Sequence, residues 1–380
     1  ADRFGFFGSH SEYLGRTEGS VKFVFGAGGT GGHVMPALAL ADVLRQQGHE
    51  CLFVGNKNSI EEQLCRENSY RFESIKVQKL YRSIKPANLL FPYYLGHSIW
   101  NASKLMQREN PDAVICTGGF VSGPVALAAR WQRIPLFFHE SNSYPGLVTR
   151  VLQRSIMRIY ISFDSSREYL AKAELKKLGI PLKKRQLQEL NLEKLNLLND
   201  KFTILVSGGS QGSLAINRAV EKILPYLAEK NWQLLWQTGR STFAQFAEHQ
   251  NKPGIHLFAF SPELPAMLGK ADLAITRAGA MTIAELEETG TPAILIPLPT
   301  AAENHQYHNA LEQHRKGYAL LLQQSELSPG SLQKAIETIV SSLGDFQSRL
   351  RNIPKNNASE AIVNDLLACL KLGKNHIVQK

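Results

Sequence analysis

Short apolar runs alternate along the chain with longer segments in which apolar residues recur every three or four positions. The clearest case runs from Val21 to Leu40, where an apolar run passes into a loop of glycines and a helical pattern follows. Short buried runs separated by helical segments are typical of a parallel, doubly wound α/β sheet. The same pattern predicts further strands in this half at 51–55, 71–77, 113–117, 135–139 and 158–162.

A second series of the same kind begins at KFTILVSGGSQGS, which again reads as strand, glycine loop and helix. Strands are predicted after it at 234–237, 255–260, 273–276, 293–297 and 318–322. The chain is therefore predicted to hold two Rossmann-like domains in tandem, with the active site in the cleft between them. The expected limits are 21–175 for the first domain, 176–200 for a linker and 201–345 for the second domain, with helices at 346–380 that could pack back on the first.

Composition and charge narrow the class of protein. The 380 residues are 43% hydrophobic and 20% charged, which is typical of globular proteins, and the net charge of +10 favours anionic partners. The four cysteines are scattered without a C-x-x-C pair, so we expect neither a disulfide framework nor a zinc site, and a reducing cytosol. No apolar run reaches the ~18 residues of a membrane span. Residues 1–20 lack periodicity and are expected to be a leader or a segment added for expression.

The first glycine loop carries candidate chemistry. Gly26, Gly28 and Gly31 match the dinucleotide pattern G-x-G-x-x-G, which is a weak signal alone. A dinucleotide fold would also have an acid at the end of its second strand, but that strand ends in Gly55. Glycines and a helix N-terminus suit a phosphate or a sugar, and the loop also holds His33. A tight turn with a capping histidine is the alternative.

Two more loops of the first half follow predicted strands. Their candidate residues are Gly118, Gly119, Ser122 and Gly123 in CTGGFVSGP, and His139, Glu140 and Asn142 in FHESNSYPG. Because parallel strands end at the same edge of a sheet, these loops are expected to lie together. Plain strand-to-helix turns are the alternative.

In the second half the informative stretch is LAITRAGAMTIAELEETGTPAILIPLPTAAENHQYHNA. Glu285 lies near the N-terminus of a predicted helix, where it could compensate the helix dipole or accept hydrogen bonds from a ribose diol. The next loop brings polar residues at helical spacing. His305 and His308 are three residues apart, but no further ligand completes a set, so no metal site is expected.

The segment from 77 to 108 mixes aromatic and basic residues. They are Leu80, Tyr81, Leu89, Leu90, Phe91, Tyr93, Tyr94 and Trp100, flanked by Lys76, Lys79, Arg82, Lys85, Lys104 and Arg108. This mixture suits an interfacial patch on anionic lipid, and an ordinary buried helix with solvated ends is the alternative. Nucleic acid is not an expected partner, because there is no basic stripe with base-stacking repeats.

Taken together, the motifs GGTGGHV, GGFVSGP, HESN, GGSQGS and R-x-G-A-x-T-x-x-E occur in one order and resemble the MurG family from Val21 onward. Its members are GT-B glycosyltransferases that add N-acetylglucosamine from its UDP donor to the lipid-linked muramyl-pentapeptide of bacterial cell-wall synthesis. The resemblance implies inverting transfer without a cofactor, at the inner face of the cell membrane. It also implies that other cell-wall synthesis proteins are possible partners.

The resemblance also assigns expected roles to residues. Donor contacts would come from Thr30, Gly31, Gly32 and Asn142 in the first half, and from Ser210, Ser261, Ala280, Met281, Thr282, Ile283, Ala284, Glu285 and Gln306 in the second. Within this set Ser210 would meet the diphosphate, Glu285 the ribose and Gln306 the N-acetylglucosamine hydroxyls. The backbone near Ser261 would meet the uracil. Gly118, Gly119, Ser122 and Gly123 would help to hold the acceptor diphosphate.

The chemistry of the residues agrees with such a transfer. The sequence has no D-x-D motif for a divalent ion, so backbone N–H groups, helix dipoles and side chains must stabilise the leaving diphosphate. His33 is the candidate base for the attacking hydroxyl, because an imidazole accepts a proton near neutral pH. Organising the loop or binding a phosphate is its alternative role.

Several positions depart from the family pattern. Ile180 and Lys183 stand where the motif G-N-P-V-R has Asn and Arg, and lysine lacks the bidentate fork of arginine. Ala278 replaces a frequent serine, Phe120 a common tyrosine and Ser141 the usual glutamine. These departures indicate a diverged member whose donor affinity is weaker or shifted. The alternatives to the MurG reaction are a UDP-sugar epimerase or a glycolipid synthase of the same fold, or a membrane-bound scaffold without activity, against which the glycine loops, His33 and Glu285 argue.

Overall fold

Two parallel sheets organise the protein, in a computed structural model that describes residues 19–78, 90–183 and 190–378. The strands of the first sheet are β1 (Lys22–Ala27), β2 (Glu50–Gly55), β3 (Arg71–Ser74), β4 (Ala113–Gly118), β5 (Leu136–Glu140), β6 (Arg158–Ile161) and β7 (Leu175–Lys177). Those of the second sheet are β8 (Thr203–Ser207), β9 (Gln233–Gln237), β10 (Ile255–Phe258), β11 (Leu273–Thr276), β12 (Ala293–Leu295) and β13 (Ala319–Leu321).

Helices connect the strands of each sheet. Around the first sheet they are α1 (Gly31–Gln46), α2 (Ile60–Glu67), α3 (Phe91–Glu109), α4 (Ser122–Trp131) and α5 (Leu147–Leu152). The later helices are α6 (Leu214–Lys222), α7 (Leu224–Glu229), α8 (Phe243–Phe246), α9 (Leu264–Leu268), α10 (Ala280–Thr289), α11 (His305–Arg315), α12 (Pro329–Ser341), α13 (Leu343–Arg351) and α14 (Ala358–Val378). Short 3-10 turns lie between several of them. No helix among these described residues has the length and hydropathy that crossing a membrane requires.

The order of strands is that of two Rossmann-like domains. In the described residues the first sheet runs β3-β2-β1-β4-β5-β6-β7 and the second runs β10-β9-β8-β11-β12-β13, with every pair parallel. The strand order reverses at β1/β4 and at β8/β11, so each sheet opens a crevice at the carboxyl ends of these strands. The α/β, GT-B type fold predicted from the sequence is confirmed.

Burial explains why these residues form strands and helices. Every residue of β1 is buried, because a parallel sheet with helices on both faces leaves no side for water. α10 follows Gly279 and ends at Gly290, which takes the left-handed φ of +70° that a helix end often needs. Both faces of each sheet carry an apolar core.

The chain passes between the domains twice, once after β7 and again at 352–357. Beyond the second passage α14 packs against α1, and Ile362, Val363 and Leu366 are fully buried there. β7 was not predicted from the sequence, and it begins where the linker was expected. The exact domain limits stay a prediction.

Candidate active site

Two glycine loops of the N-terminal domain touch each other at the β1/β4 crevice. Gly118 ends β4 and Gly119 follows it, with φ of +108° and +81°. A Cβ atom at Gly119 would lie 1.9 Å from the carbonyl oxygen of Gly28, and one at Gly118 would lie 2.7 Å from Cδ2 of His33. The loops can meet around the imidazole only because these positions lack side chains.

His33 lies in the first turn of α1, between these loops. Its Nδ1 is 3.2 Å from the Thr30 hydroxyl, and its carbonyl oxygen accepts a 2.6 Å hydrogen bond from Thr117. Burial by the surrounding protein lowers the pKa of His33 to about 4, a hydrogen bond with the Gly28 backbone opposes this, and nearby His305 adds to it. Although the side chain is partly exposed, its imidazole is therefore neutral at pH 7 and able to accept a proton.

Ser122 and Gly123 are buried, whereas Gly118 and Gly119 are partly exposed. The Ser122 hydroxyl is fully buried, 2.7 Å from the carbonyl oxygen of Gly26 and 2.8 Å from that of Gly118, and it accepts the Gly118 N–H. Gly123 is also buried, inside α4. The structure brings both to the predicted edge, where the Ser122 side chain fixes the loop from beneath.

Glu61 is a residue of the site that the sequence analysis missed. Its carboxylate is buried in the first turn of α2 and accepts hydrogen bonds from the N–H groups of Gly29 and Asn56, each at 3.2 Å. It therefore ties the loop after β2 to the first glycine loop. The available signal was an acid at a helix start shortly after a strand.

The HESN loop is shaped by its own buried residues. The Glu140 carboxylate accepts hydrogen bonds from the N–H groups of Asn142 and Gly146 and from the Thr149 hydroxyl, and burial raises its pKa. His139 is buried with Nε2 3.0 Å from the Gly179 carbonyl oxygen. These two residues hold the loop, while Asn142 stays partly exposed.

The second domain repeats the arrangement at β8/β11. Ser210 is exposed at the tip of the loop that leads into α6. A Cβ atom at Gly212 would lie 2.0 Å from the Thr238 carbonyl oxygen, so this loop also depends on glycine. Arg277 donates to the Ser213 hydroxyl at 2.7 Å and to the Pro297 carbonyl at 3.0 Å. Burial lowers its pKa to about 10, which leaves a cation beside the loop at neutral pH.

The remaining predicted donor residues lie in α10, in the first turn of α11 and after β10. Met281, Thr282 and Glu285 are partly exposed, whereas Ala280, Ile283 and Ala284 are buried and could offer only backbone atoms. The Gln306 side chain is partly exposed and accepts the Leu298 N–H at 3.0 Å. The Ser261 N–H is already bonded to the buried Gln237 side chain at 3.1 Å. The predicted set therefore divides into exposed side chains and buried supports.

The two domains meet beside these residues. Asn309 of α11 is fully buried, and its Oδ1 accepts hydrogen bonds from the N–H and hydroxyl of Ser143 at 2.9 and 2.8 Å. Its Nδ2 donates to Asn142 and to the Ala278 carbonyl, each at 3.3 Å. Asn142, from the first domain, thus contacts α11, the helix of the second domain that also carries Gln306.

Comparison with known proteins agrees with this arrangement of two domains. The glycosyltransferase family 28 N-terminal domain matches residues 23–161, and the C-terminal domain of the same family matches residues 203–364. A relative from Halothermothrix orenii is 38% identical over 335 residues, which are 84% of this chain and 90% of the relative. One from Desulforamulus reducens is 34% identical over 368 residues, 92% of this chain and 98% of the relative. Both are named UDP-N-acetylglucosamine–N-acetylmuramyl-(pentapeptide) pyrophosphoryl-undecaprenol N-acetylglucosamine transferase.

The chain belongs to the MurG family. The crystal structure of Acinetobacter baumannii MurG superposes with a TM-score of 0.72 at 26% identity, covering 90% of this chain and 98% of that one. The calicheamicin glycosyltransferase CalG4 reaches a TM-score of 0.71 at 14% identity, covering 93% and 98%, and shares the fold. The resemblance that the motifs indicated is thereby confirmed.

The structure shows what surrounds the residues that depart from the MurG pattern. Lys183 pairs with Asp42 of α1 at 3.2 Å, and Ile180 is buried in the core of the second domain. Ala278 is fully buried, and Phe120 packs so closely on Gly29 that a Cβ there would lie 2.8 Å from its ring. In this structure Ile180 and Lys183 therefore serve packing and an ion pair with the first domain.

Proposed function

We propose that the chain transfers N-acetylglucosamine from UDP-N-acetylglucosamine to undecaprenyl-pyrophosphoryl-MurNAc-pentapeptide, with inversion, to form the β-1,4-linked disaccharide lipid of peptidoglycan synthesis. The observation that carries the proposal is the placement of His33, whose imidazole is enclosed by two glycine loops and lies near His305 of the second domain. It supports a base at the point where the acceptor and donor half-sites meet.

The proposed reaction forms a bond between the muramyl hydroxyl oxygen and C1 of N-acetylglucosamine, and it breaks the bond from C1 to the diphosphate. The hydroxyl proton passes to His33, and the electron pair leaves with UDP. The negative charge that develops there would be met by the loop at the start of α6 and by the Arg277 cation beside Ser213. This arrangement supports leaving-group stabilisation by the protein itself.

The remaining donor contacts are proposed from their exposure. Glu285 and Thr282 lie partly exposed on the first turns of α10, where a ribose or a sugar could reach them. Gln306 lies in the first turn of α11, the helix whose Asn309 contacts Asn142 of the first domain. We therefore assign the sugar to Gln306, the ribose to Glu285 and the acceptor diphosphate to the backbone at Gly118 and Gly119.

A lipid-linked acceptor also calls for a membrane-facing surface, and α3 supports one. Tyr93 and Trp100 on this helix are 69% and 53% exposed, and the Lys104 ammonium lies 3.6 Å from the centre of the Trp100 ring. Exposed aromatic rings beside cations suit the headgroup region of an anionic bilayer. Lys79 and Lys85, which belong to the same predicted patch, lie outside the described residues. We propose a cytoplasmic protein that binds peripherally to the inner face of the membrane.

The test is transfer of labelled N-acetylglucosamine to a synthetic lipid-linked muramyl-pentapeptide in the presence of EDTA. We expect efficient transfer by the unmodified protein and a loss of about 10²- to 10⁴-fold in His33→Ala. His314→Ala, at an exposed histidine of α11, is the matched control and should keep full activity. Donor binding without transfer would instead favour an epimerase or a glycolipid synthase.

A further inference from the structure

Residues 142–150 of the first domain contact residues 303–309 of the second domain, a segment that includes the start of α11. At the inner end of this contact Asn309 is hydrogen-bonded to Ser143, and next to it the ring of Tyr144 stacks on His308 with centroids 5.7 Å apart. These contacts join residues that are far apart in the sequence and lie in different domains.

An ion pair joins the two segments at the outer end of this contact. Nη2 of Arg150 lies 2.9 Å from Oε2 of Glu303, and both side chains are partly exposed. Nη1 of the same arginine donates to the Tyr144 hydroxyl at 3.0 Å, and the guanidinium lies 4.8 Å from the centre of the Tyr144 ring. The arginine is thus oriented by its own domain before it reaches across.

The turn that leads into α11 has an unfavourable backbone conformation. Glu303 and Asn304 are consecutive residues with φ of 55° and 53°, a left-handed conformation that non-glycine residues seldom adopt. His305 and Gln306 follow directly as the first residues of α11. A backbone of this kind persists only when its surroundings hold it, and Arg150 contacts the first of the two strained residues.

We propose that Arg150, acting through Glu303, is a positioning residue for the donor sugar. The ion pair holds the loop 302–306 in the conformation that presents Gln306, so the affinity for the sugar part of the donor depends on a residue of the acceptor domain. Ser261 and Glu285, which are assigned to the nucleoside, lie on other segments and do not depend on this contact. The inference rests on the proposed use of UDP-N-acetylglucosamine.

Binding of two ligands separates this role from a merely structural one. Calorimetric titration with UDP-N-acetylglucosamine and with UDP would be compared for the unmodified protein and Glu303→Gln. We expect Glu303→Gln to weaken UDP-N-acetylglucosamine about three- to tenfold, because misplacing a positioning group costs affinity at the group it positions. The affinity for UDP should not change, since UDP lacks the sugar.

Ser165→Ala is the matched control. The Ser165 hydroxyl donates to Glu312 of α11 and therefore also joins the two domains, but away from the loop 302–306. If Ser165→Ala has the same effect as Glu303→Gln, the loss reflects the attachment of the domains and the inference is wrong. An unchanged affinity in Glu303→Gln, or an equal loss for UDP, would also overturn it.

The exchanged pair gives a second, independent readout. Arg150→Glu and Glu303→Arg should each raise the KM for UDP-N-acetylglucosamine, and the double variant should recover most of the loss because opposite charges face each other again. A folded double variant without recovery contradicts the inference. Failure of the unmodified protein to bind UDP-N-acetylglucosamine at all would instead refute the proposed function.

Discussion

The carbonyl oxygen of Gly28 lies so close to Gly119 that an alanine side chain has no room between them. In Gly119→Ala the new Cβ would start 1.9 Å from this oxygen and 3.2 Å from Nδ1 of His33. Carbon and oxygen in contact need more than 3 Å, so one of the two loops must move by roughly 1 Å or more. Both loops carry groups that surround the proposed base, and the movement therefore reaches the reacting centre.

The expected magnitude follows from two separate penalties. A φ of +81° at Gly119 costs an alanine about 1–2 kcal/mol, and the clash adds about 1–3 kcal/mol to the loss of unfolding free energy. Activity should fall further than stability, because a displacement of about 1 Å at a catalytic group can reduce the rate about 10²-fold. UDP binding should be unchanged, because the UDP contacts are assigned mainly to the other domain.

Gly48→Ala isolates the first penalty. Gly48 has nearly the same φ, +82°, but a Cβ atom there has nothing within 4 Å. This variant should lose about 1–2 kcal/mol of unfolding free energy and keep its transfer rate. Thermal unfolding and the EDTA-containing transfer assay would be measured for both variants. A transfer rate in Gly119→Ala equal to that of Gly48→Ala would refute the argument that these loops must touch for activity.

Three further predictions concern pH and the membrane. Because burial lowers the pKa of His33 to about 4, the acid limb of kcat/KM should lie near pH 4, and a limb near 6.5 would contradict its role as base. Burial likewise lowers the pKa of His139 to about 4. A histidine in the unfolded chain has a pKa of about 6.5, so the unfolded state binds this proton first as pH falls. About 2 kcal/mol of the unfolding free energy present above pH 6.5 is therefore lost by pH 5. In denaturant titrations, His139→Gln should lose less unfolding free energy between pH 7.5 and 5 than the unmodified protein. An equal loss in both proteins would contradict this prediction. Trp100→Ser should weaken co-sedimentation with anionic vesicles while Leu198→Ser, at an exposed leucine before β8, should not; equal binding by both variants would remove α3 from the membrane surface.

The glycine loops could be predicted because their signals are local. A buried strand, glycines and a helix start follow one another within a few residues at Lys22–Ala27 and again at Thr203–Ser207, and parallel sheets then bring the loops to one edge. The sequence does not show that Gly119 touches Gly28, because that contact depends on how β1 and β4 are placed side by side. Strand bounds were predicted within a few residues. β7 was missed because LKK has no apolar run.

Contacts between distant segments account for the rest. Asn309 was visible only as one of several polar residues at helical spacing, whereas in the structure it joins the domains through a residue 166 positions earlier. Glu61 left only the weak signal of an acid at a helix start, and the pair of Arg150 with Glu303 left no pattern, because each acts on a partner that only the fold brings near. Ser122 carried the right signal, but its burial beneath the loop is a property of packing.

The packing of α14 against α1 has a consequence for biosynthesis. The apolar surface of α1 that Ile362, Val363 and Leu366 cover is made early, but α14 is synthesised only after the whole second domain. At about 5–20 residues per second, synthesis of the chain between α1 and α14 leaves that surface uncovered for roughly 15–60 s. The nascent N-terminal domain is therefore expected to bind chaperones. A chain that terminates before α14 would leave this apolar surface of α1 exposed and would tend to aggregate.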